Sequence, residues 1–330
     1  MILSKTPLRI SFFSGGSDMP SFYEKERGAA LSVTIDKYIY VMTHKTPHLG
    51  VKTMYDTIEE YPVVEQMQHA ITREALKYYS ISNEITIASI ADILAKGSGL
   101  GSSSAFTIGL VNCLVHSDKY ASNYSREYLA QTAYMIEREL CGYPVGKQDQ
   151  YASAYGGLNL FEFHKDNSVE IRPLTYKREL WSDLESRLLL VYSGRGRNAN
   201  QILQKQSAAM DDKVKFQLVK NSRDKAFVAA RYLKEGKLDD FGVLLHEAWL
   251  DKKAVEQSIT NEYFDDIYNR ALEAGASGGK LLGAGGGGFF LFYVNPHKRE
   301  SVINAITDGT NCKVYDFSFT ERGSFLASHS

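Results

Sequence analysis

Small residues crowd one stretch of this chain, Gly97-Ser98-Gly99-Leu100-Gly101-Ser102-Ser103-Ser104. Glycines at every second position let backbone N–H groups come close to an anion, and serine hydroxyls can bind phosphate oxygens or a magnesium ion. Phe106, Leu110, Cys113 and Leu114 follow at helical spacing, so the loop opens a helix whose N-terminal donors and dipole favour negative charge. The chemistry it suits is phosphate binding; a flexible turn with a serine cap is the plainer alternative. Two common nucleotide loops are excluded by spacing. A Walker A loop needs a lysine before its Ser/Thr, and a dinucleotide fingerprint needs its third glycine one residue later than Gly101.

Three further segments carry candidate chemistry. Residues 8–13 alternate apolar and polar and run into Ser14-Gly15-Gly16-Ser17-Asp18, a strand delivering a polar loop that can hold a small ligand. Arg9 lies between Leu8 and Ile10 near that loop, where a fixed cation would stabilise a phosphoryl group in transfer. The segment Gly142-Tyr143-Pro144-Val145-Gly146-Lys147-Gln148-Asp149-Gln150 offers Asp149 as an acid or base, or as a helix cap. Gly283, Gly285, Gly286, Gly287 and Gly288 follow Lys280 closely, implying left-handed backbone or close packing, whether for a ligand or for a tight bend.

The elements that must position these residues mix without regular alternation. Strands are expected at 33–43, 84–90, 157–163, 187–192, 289–294 and 313–319. Helices are expected at 102–115, from Ser125 to about Cys141-Gly142, and near 198–235, 237–256 and 261–274. The irregular order indicates an α+β chain. A polar stretch at 164–177 separates two units, set at 1–180 and 181–330.

With 330 residues, 38 Lys+Arg against 39 Asp+Glu and a net charge of -1, the chain has no broad basic field for nucleic acid. Its apolar stretches fall short of the ~20 residues that span a bilayer, and its first residues lack the pattern of a signal peptide. Cys113, Cys141 and Cys312 show no zinc spacing, so reducing cytosol is expected and a cytoplasmic location with it.

Taken together, Thr6-Pro7-Leu8-Arg9 with the Ser14 to Asp18 loop, the Gly97 to Ala105 loop and the Lys280 to Gly288 cluster resemble, in order, the three motifs of the GHMP kinase superfamily. Within it the opening is most similar to sugar kinases that phosphorylate D-glycero-D-manno-heptose 7-phosphate at the anomeric hydroxyl, a reaction of heptose synthesis for surface polysaccharide. Fucokinase-like enzymes open similarly, and Ser14 and Ser17 depart from a Gly-Gly-Gly-Thr-Asp pattern.

The resemblance implies an N-terminal domain with a left-handed βαβ unit, a ferredoxin-like C-terminal domain, and ATP and Mg²⁺ as cofactors. It implies Asp149 as catalytic base, although one extra residue separates it from Gly146, and Arg9 as its catalytic partner. ATP would sit on Gly97, Ser98, Gly99, Leu100, Gly101, Ser102, Ser103 and Ser104, with Ser103 and Glu137 on the metal. Glu137 beside Arg138 and Glu139 could equally be a solvated helix face. Ser14, Gly16, Ser17, Asp18, Gly285 and Gly286 would meet a small-molecule sugar phosphate. Arg195 and Arg197, flanking Gly196, are the cations expected for the sugar's own phosphate. Other readings are an L-fucose kinase or an ATP- and sugar-binding sensor without turnover. A nicotinamide oxidoreductase is disfavoured by the glycine spacing.

Overall fold

The computed structural model describes residues 1–14, 16–47, 50–93, 97–116, 124–174, 178–196 and 199–327. β1 (Ile2–Phe13) and β2 (Gly28–Lys45) form a long antiparallel pair rich in β-branched and aromatic residues. β1 begins well before the alternating stretch at 8–13 because two polar residues also point inward. The Ser4 hydroxyl donates to the Gly109 carbonyl at 2.9 Å, and Thr6 Oγ1 meets Ser324 Oγ at 2.8 Å.

After the short helix α1 (Pro20–Tyr23) and β2, the chain adds β3 (Val51–Met54), β4 (Ile58–Tyr61), α2 (Ala70–Tyr78) and β5 (Ile85–Ala91). β5 pairs antiparallel with β2, and β3 runs parallel to β5. Then come α3 (Ser102–Val115), α4 (Arg126–Met135), α5 (Gln148–Tyr155), β6 (Leu158–Phe163) and β7 (Val169–Pro173). β7 lies in the stretch read as a polar separator; its residues are mostly exposed, so burial left no apolar signature in the sequence. α3 is buried along most of its length and packs on β1 and β2. α4 starts at Ser125, whose hydroxyl accepts from the Tyr128 N–H. The expected single helix to Cys141 instead finishes in a π-helical turn, Ile136–Leu140.

The second sheet is antiparallel in the order β11-β8-β10-β9, from β8 (Leu188–Tyr192), β9 (Ala276–Leu281), β10 (Phe289–Val294) and β11 (Lys313–Tyr315). Its strands β8 and β10 read as unbroken apolar runs because both faces are buried. Leu188, Leu190, Phe289, Leu291 and Tyr293 join the core shared with the first sheet, while Leu189, Val191, Phe290, Phe292 and Val294 fill a second core. α6 (Arg178–Ser186) leads into β8; between β8 and β9 run α7 (Ala199–Ala208), α8 (Lys213–Glu235), α9 (Leu238–Val255) and α10 (Glu262–Glu273), and after β10 comes α11 (Arg299–Thr307). The helical region near 198–235 is thus two helices, divided where the Asp212 carboxylate accepts from Val214 and Lys215 N–H and caps α8.

α9 fastens the two sheets together: Phe241 meets Phe12 and Phe13 edge-on, with ring centroids 5.2 and 5.5 Å away. The final strand, β12 (Phe325–Leu326), returns to the open edge of β1. A division of the chain at 180 therefore leaves this last strand with the first sheet. No helix among the described residues is long and apolar enough to cross a membrane.

Candidate active site

A cavity of about 440 Å³ opens where β1, the loop after it, the glycine loop before α3, the start of α5, α7 and the end of β9 converge. Gly97, Gly99 and Gly101 hold φ of +70°, +80° and +74°, so the backbone zigzags through a conformation that side chains would strain. Gly101 is the N-cap of α3 and supplies no side-chain cap, leaving the first-turn donors to face the cavity without a capping side chain. Leu100 does not reach the cavity. Fully buried, it anchors the loop from behind, with its carbonyl accepting from the Arg9 N–H at 3.0 Å.

Arg9 is the hub of this arrangement. Its side chain is 3% exposed and grips Asp149 in a fork, Nε to Oδ1 at 2.9 Å and Nη2 to Oδ2 at 2.8 Å, while Nη1 donates to the Gly99 carbonyl at 2.8 Å. One guanidinium thereby ties the phosphate-type loop to the carboxylate that opens α5. Asp149 keeps 32% of its side chain exposed, towards the cavity. It does not cap its helix; that role falls to Asp18, whose Oδ2 accepts from the Gln148 N–H at 3.2 Å. Ser14 donates to the other Asp18 oxygen at 3.0 Å. Burial, and then the neighbouring Asp149 charge, push the Asp18 pKa above its ordinary value.

Glu137 is fully buried beneath Ser103. Its Oε1 accepts from Ser103 at 2.9 Å and Thr107 at 3.0 Å, and its Oε2 from Ser104 at 2.8 Å and from Gln150. Burial raises its pKa, and among the described residues no cation pairs with it. The π-turn explains why it is not part of a solvated face: Glu137 turns inward, Arg138 is half-buried and Glu139 is exposed. A hydroxyl and a carboxylate side by side, with the carboxylate lacking a countercharge, are hard oxygen donors that fit a magnesium ion. Among the described residues there is no group of three His, Cys, Asp or Glu suited to a metal.

Several expected ligand residues stand elsewhere. Ser17 is fully buried, donating to the Ala29 carbonyl at 2.8 Å and accepting from the Ala29 N–H at 3.1 Å; it ties the first loop to β2, and from that loop Ser14, Gly16 and Asp18 line the cavity. Arg195 lies outside the cavity wall, its guanidinium stacked 3.8 Å from the Tyr263 ring centroid. Arg197 lies outside the described residues.

Gly285 and Gly286 also leave the wall, which Gly283 and Ala284 form instead. A Cβ on Gly285 would come within 2.7 Å of Ile259, and one on Gly286 within 2.4 Å of Ile202. The cluster is a close-packed brace: Gly288 sits where a Cβ would be 2.3 Å from the Ser98 carbonyl oxygen, and that carbonyl accepts from the Phe289 N–H at 3.0 Å. The second sheet thus holds the back of the glycine loop.

The wall also contains residues that the sequence reading missed. Lys252 of α9 and Lys280 of β9 bring buried amines; Lys280 donates to the Phe12 carbonyl at 2.9 Å, and burial, then the nearby Arg9 charge, lower its pKa to about 7. Lys280 was visible as the residue opening the glycine cluster. Lys252, Gln206 and Asn200 lie on amphipathic helices with no local motif, and His69 at the N-cap of α2 reads as an ordinary cap. The whole can hold a polyphosphate at the glycine loop and a hydroxylated molecule by Asp18, with Asp149 between them.

The chain is similar to known proteins along most of its length. Residues 62–157 match the GHMP kinases N terminal domain, and residues 229–310 match the GHMP kinases C terminal model. The D-glycero-alpha-D-manno-heptose 7-phosphate kinase of Campylobacter jejuni is 30% identical over 337 residues, covering 98% of this chain and 97% of that one. The bifunctional fucokinase/GDP-fucose pyrophosphorylase of Arabidopsis thaliana is 26% identical over 94% of this chain and 32% of its own length. A D-glycero-D-manno-heptose 1-phosphate kinase from Bacteroides thetaiotaomicron superposes with a TM-score of 0.79 at 26% identity, covering both chains fully.

Proposed function

The chain belongs to the GHMP kinase family and is an ATP-dependent sugar kinase, and on that premise we propose that its substrate is D-glycero-D-manno-heptose 7-phosphate. In this reading the anomeric hydroxyl attacks the γ-phosphorus of ATP; the new C1–O–P linkage forms, the bond to the ADP oxygen breaks, and the hydroxyl proton passes to Asp149. The product is the 1,7-bisphosphate, a step in making heptose for surface polysaccharide. The match over nearly the whole of the Campylobacter jejuni kinase supports the sugar, and the Arg9–Asp149 fork against the Gly99 carbonyl is the observation that carries the chemistry.

Asp149 is exposed towards the cavity and positioned by Arg9, so it can accept a proton without having to reorient. Arg9, almost buried, holds the glycine loop and the base in one rigid unit and presents positive charge to the transferring group. Ser14, Gly16 and Asp18 bind sugar hydroxyls. Lys252 and Lys280 bring the cations that an anionic substrate needs, a task the sequence had assigned to Arg195 and Arg197. Ser103 and Glu137 would hold Mg²⁺. The ion would supply charge neutralisation on the phosphates and the countercharge that buried Glu137 lacks.

ADP release measured with ATP, Mg²⁺ and either the heptose phosphate, L-fucose or D-mannose tests the substrate. Turnover confined to the heptose phosphate is expected. Turnover confined to an unphosphorylated sugar would overturn the heptose reading and keep the kinase.

A further inference from the structure

Gln148 is 4% exposed, belongs to the cavity wall, and stands between two residues already given roles, Asp18 and Asp149. Three of its polar groups have definite positions. Its backbone N–H holds Asp18, and its Oε1 accepts from the Ser11 hydroxyl at 3.2 Å. Its Nε2 has a buried surface and no hydrogen-bond partner. Among the described residues with a buried, unpartnered side-chain atom, Gln148 alone lines the cavity. A buried donor left unpaired carries its full desolvation penalty, which an arriving acceptor removes. The amide orientation follows from Ser11, whose hydroxyl donates to Oε1 and so leaves Nε2 as the free donor.

We propose that Gln148 is a specificity-determining residue that donates its amide N–H to the sugar hydroxyl adjacent to the one being phosphorylated. The argument rests on the reading of Asp149 as the acceptor of the reacting hydroxyl's proton. Gln148 and Asp149 are consecutive, about 3.8 Å apart at their Cα atoms, and both face the cavity. A sugar that places one hydroxyl on Asp149 brings the vicinal oxygen to the neighbouring side chain. For transfer to C1 that oxygen is O2, so the site reads the configuration at C2. Ser11 fixes the amide from behind, and Asp18, held by the Gln148 backbone, binds the same sugar on the other side.

The test compares wild type with Gln148→Met, which keeps the side-chain length and removes the donor, on D-glycero-D-manno-heptose 7-phosphate and its 2-deoxy analogue. The expected result is a fall in kcat/KM of about 10- to 100-fold on the parent sugar, with the KM for ATP unchanged and wild type and variant nearly equal on the 2-deoxy sugar. A loss below threefold on the parent sugar overturns the proposal. So does an equal loss on both sugars, which would make Gln148 only a support for Asp149. If Gln148→Met does not fold, Gln148→Leu, which is neutral and also lacks the donor, is held to the same criteria. Wild type idle with the heptose phosphate overturns the substrate reading alone, and the comparison then uses L-fucose and 2-deoxy-L-fucose, judged in the same way.

Discussion

Replacing Asp149 with Asn separates what the carboxylate does in chemistry from what it does in the fold. The amide keeps the shape, loses the proton acceptor and weakens the fork with Arg9. Loss of a positioned general base lowers rates by about 10²–10⁴, which at ~1.36 kcal/mol per tenfold is ~3–5 kcal/mol of transition-state stabilisation. The structural penalty is smaller. Breaking a fully buried pair costs about 3–5 kcal/mol, but Asp149 is 32% exposed and water can reach the vacated side, and Arg9 keeps its bond to Gly99. We therefore expect about 1–2 kcal/mol, a fall in Tm of about 1.5–3 °C for a chain of this size. The assay is steady-state ADP release beside a thermal melt: kcat should drop at least 100-fold while KM for ATP stays within about threefold. Asp149→Asn with kcat within threefold of wild type would refute the proton-acceptor assignment. A large loss of ATP affinity would show instead that the pair serves mainly to shape the glycine loop.

Gly288→Ala places a Cβ against the Ser98 carbonyl at a φ of +88°, where neither backbone can yield. It should raise the KM for ATP at least tenfold and destabilise by about 1–3 kcal/mol, read by kinetics and denaturant unfolding. Mg²⁺ should raise the Tm of wild type at neutral pH and leave Glu137→Gln almost unmoved, since the variant has no buried carboxylate to neutralise; differential scanning calorimetry checks this. Lys280, with its pKa lowered to about 7, is charged below that pH and neutral above it. kcat/KM for the sugar phosphate should therefore decline as pH rises through about 7, and Lys280→Met should lack that limb. In stability the sign runs the other way: between about 7 and the unfolded lysine pKa the unfolded chain binds the extra proton, so this group adds stability as pH rises through that window.

Legibility followed locality. The glycine loop, Arg9 and Asp149 lie in short segments whose residue types state their chemistry, and the structure brings all three into contact. Lys252 and Gln206 were invisible because tertiary packing, and no motif, turns their helices towards the cavity. Arg195 was misjudged because a loop's sequence does not say that a tyrosine from α10 will lie under its guanidinium. The glycines at 285 and 286 were read as ligand contacts, but they solve a packing problem against Ile259 and Ile202. β9 escaped notice for a related reason: Gly278 and Gly279 are poor strand formers, yet a Cβ on either would strike the α9 backbone or Phe292. The apolar runs of β8 and β10 were legible as strands because burial on two faces leaves no polar position.

The proposed reaction transfers the γ-phosphoryl group to the anomeric oxygen of a sugar that already carries a phosphate. Phosphorus NMR of the wild-type reaction with ATP, Mg²⁺ and D-glycero-D-manno-heptose 7-phosphate tests it most directly. A new phosphate resonance coupled to the anomeric proton should grow in step with ADP while the 7-phosphate signal persists. ADP formed without that coupling, or a new phosphate on any other carbon, would contradict it.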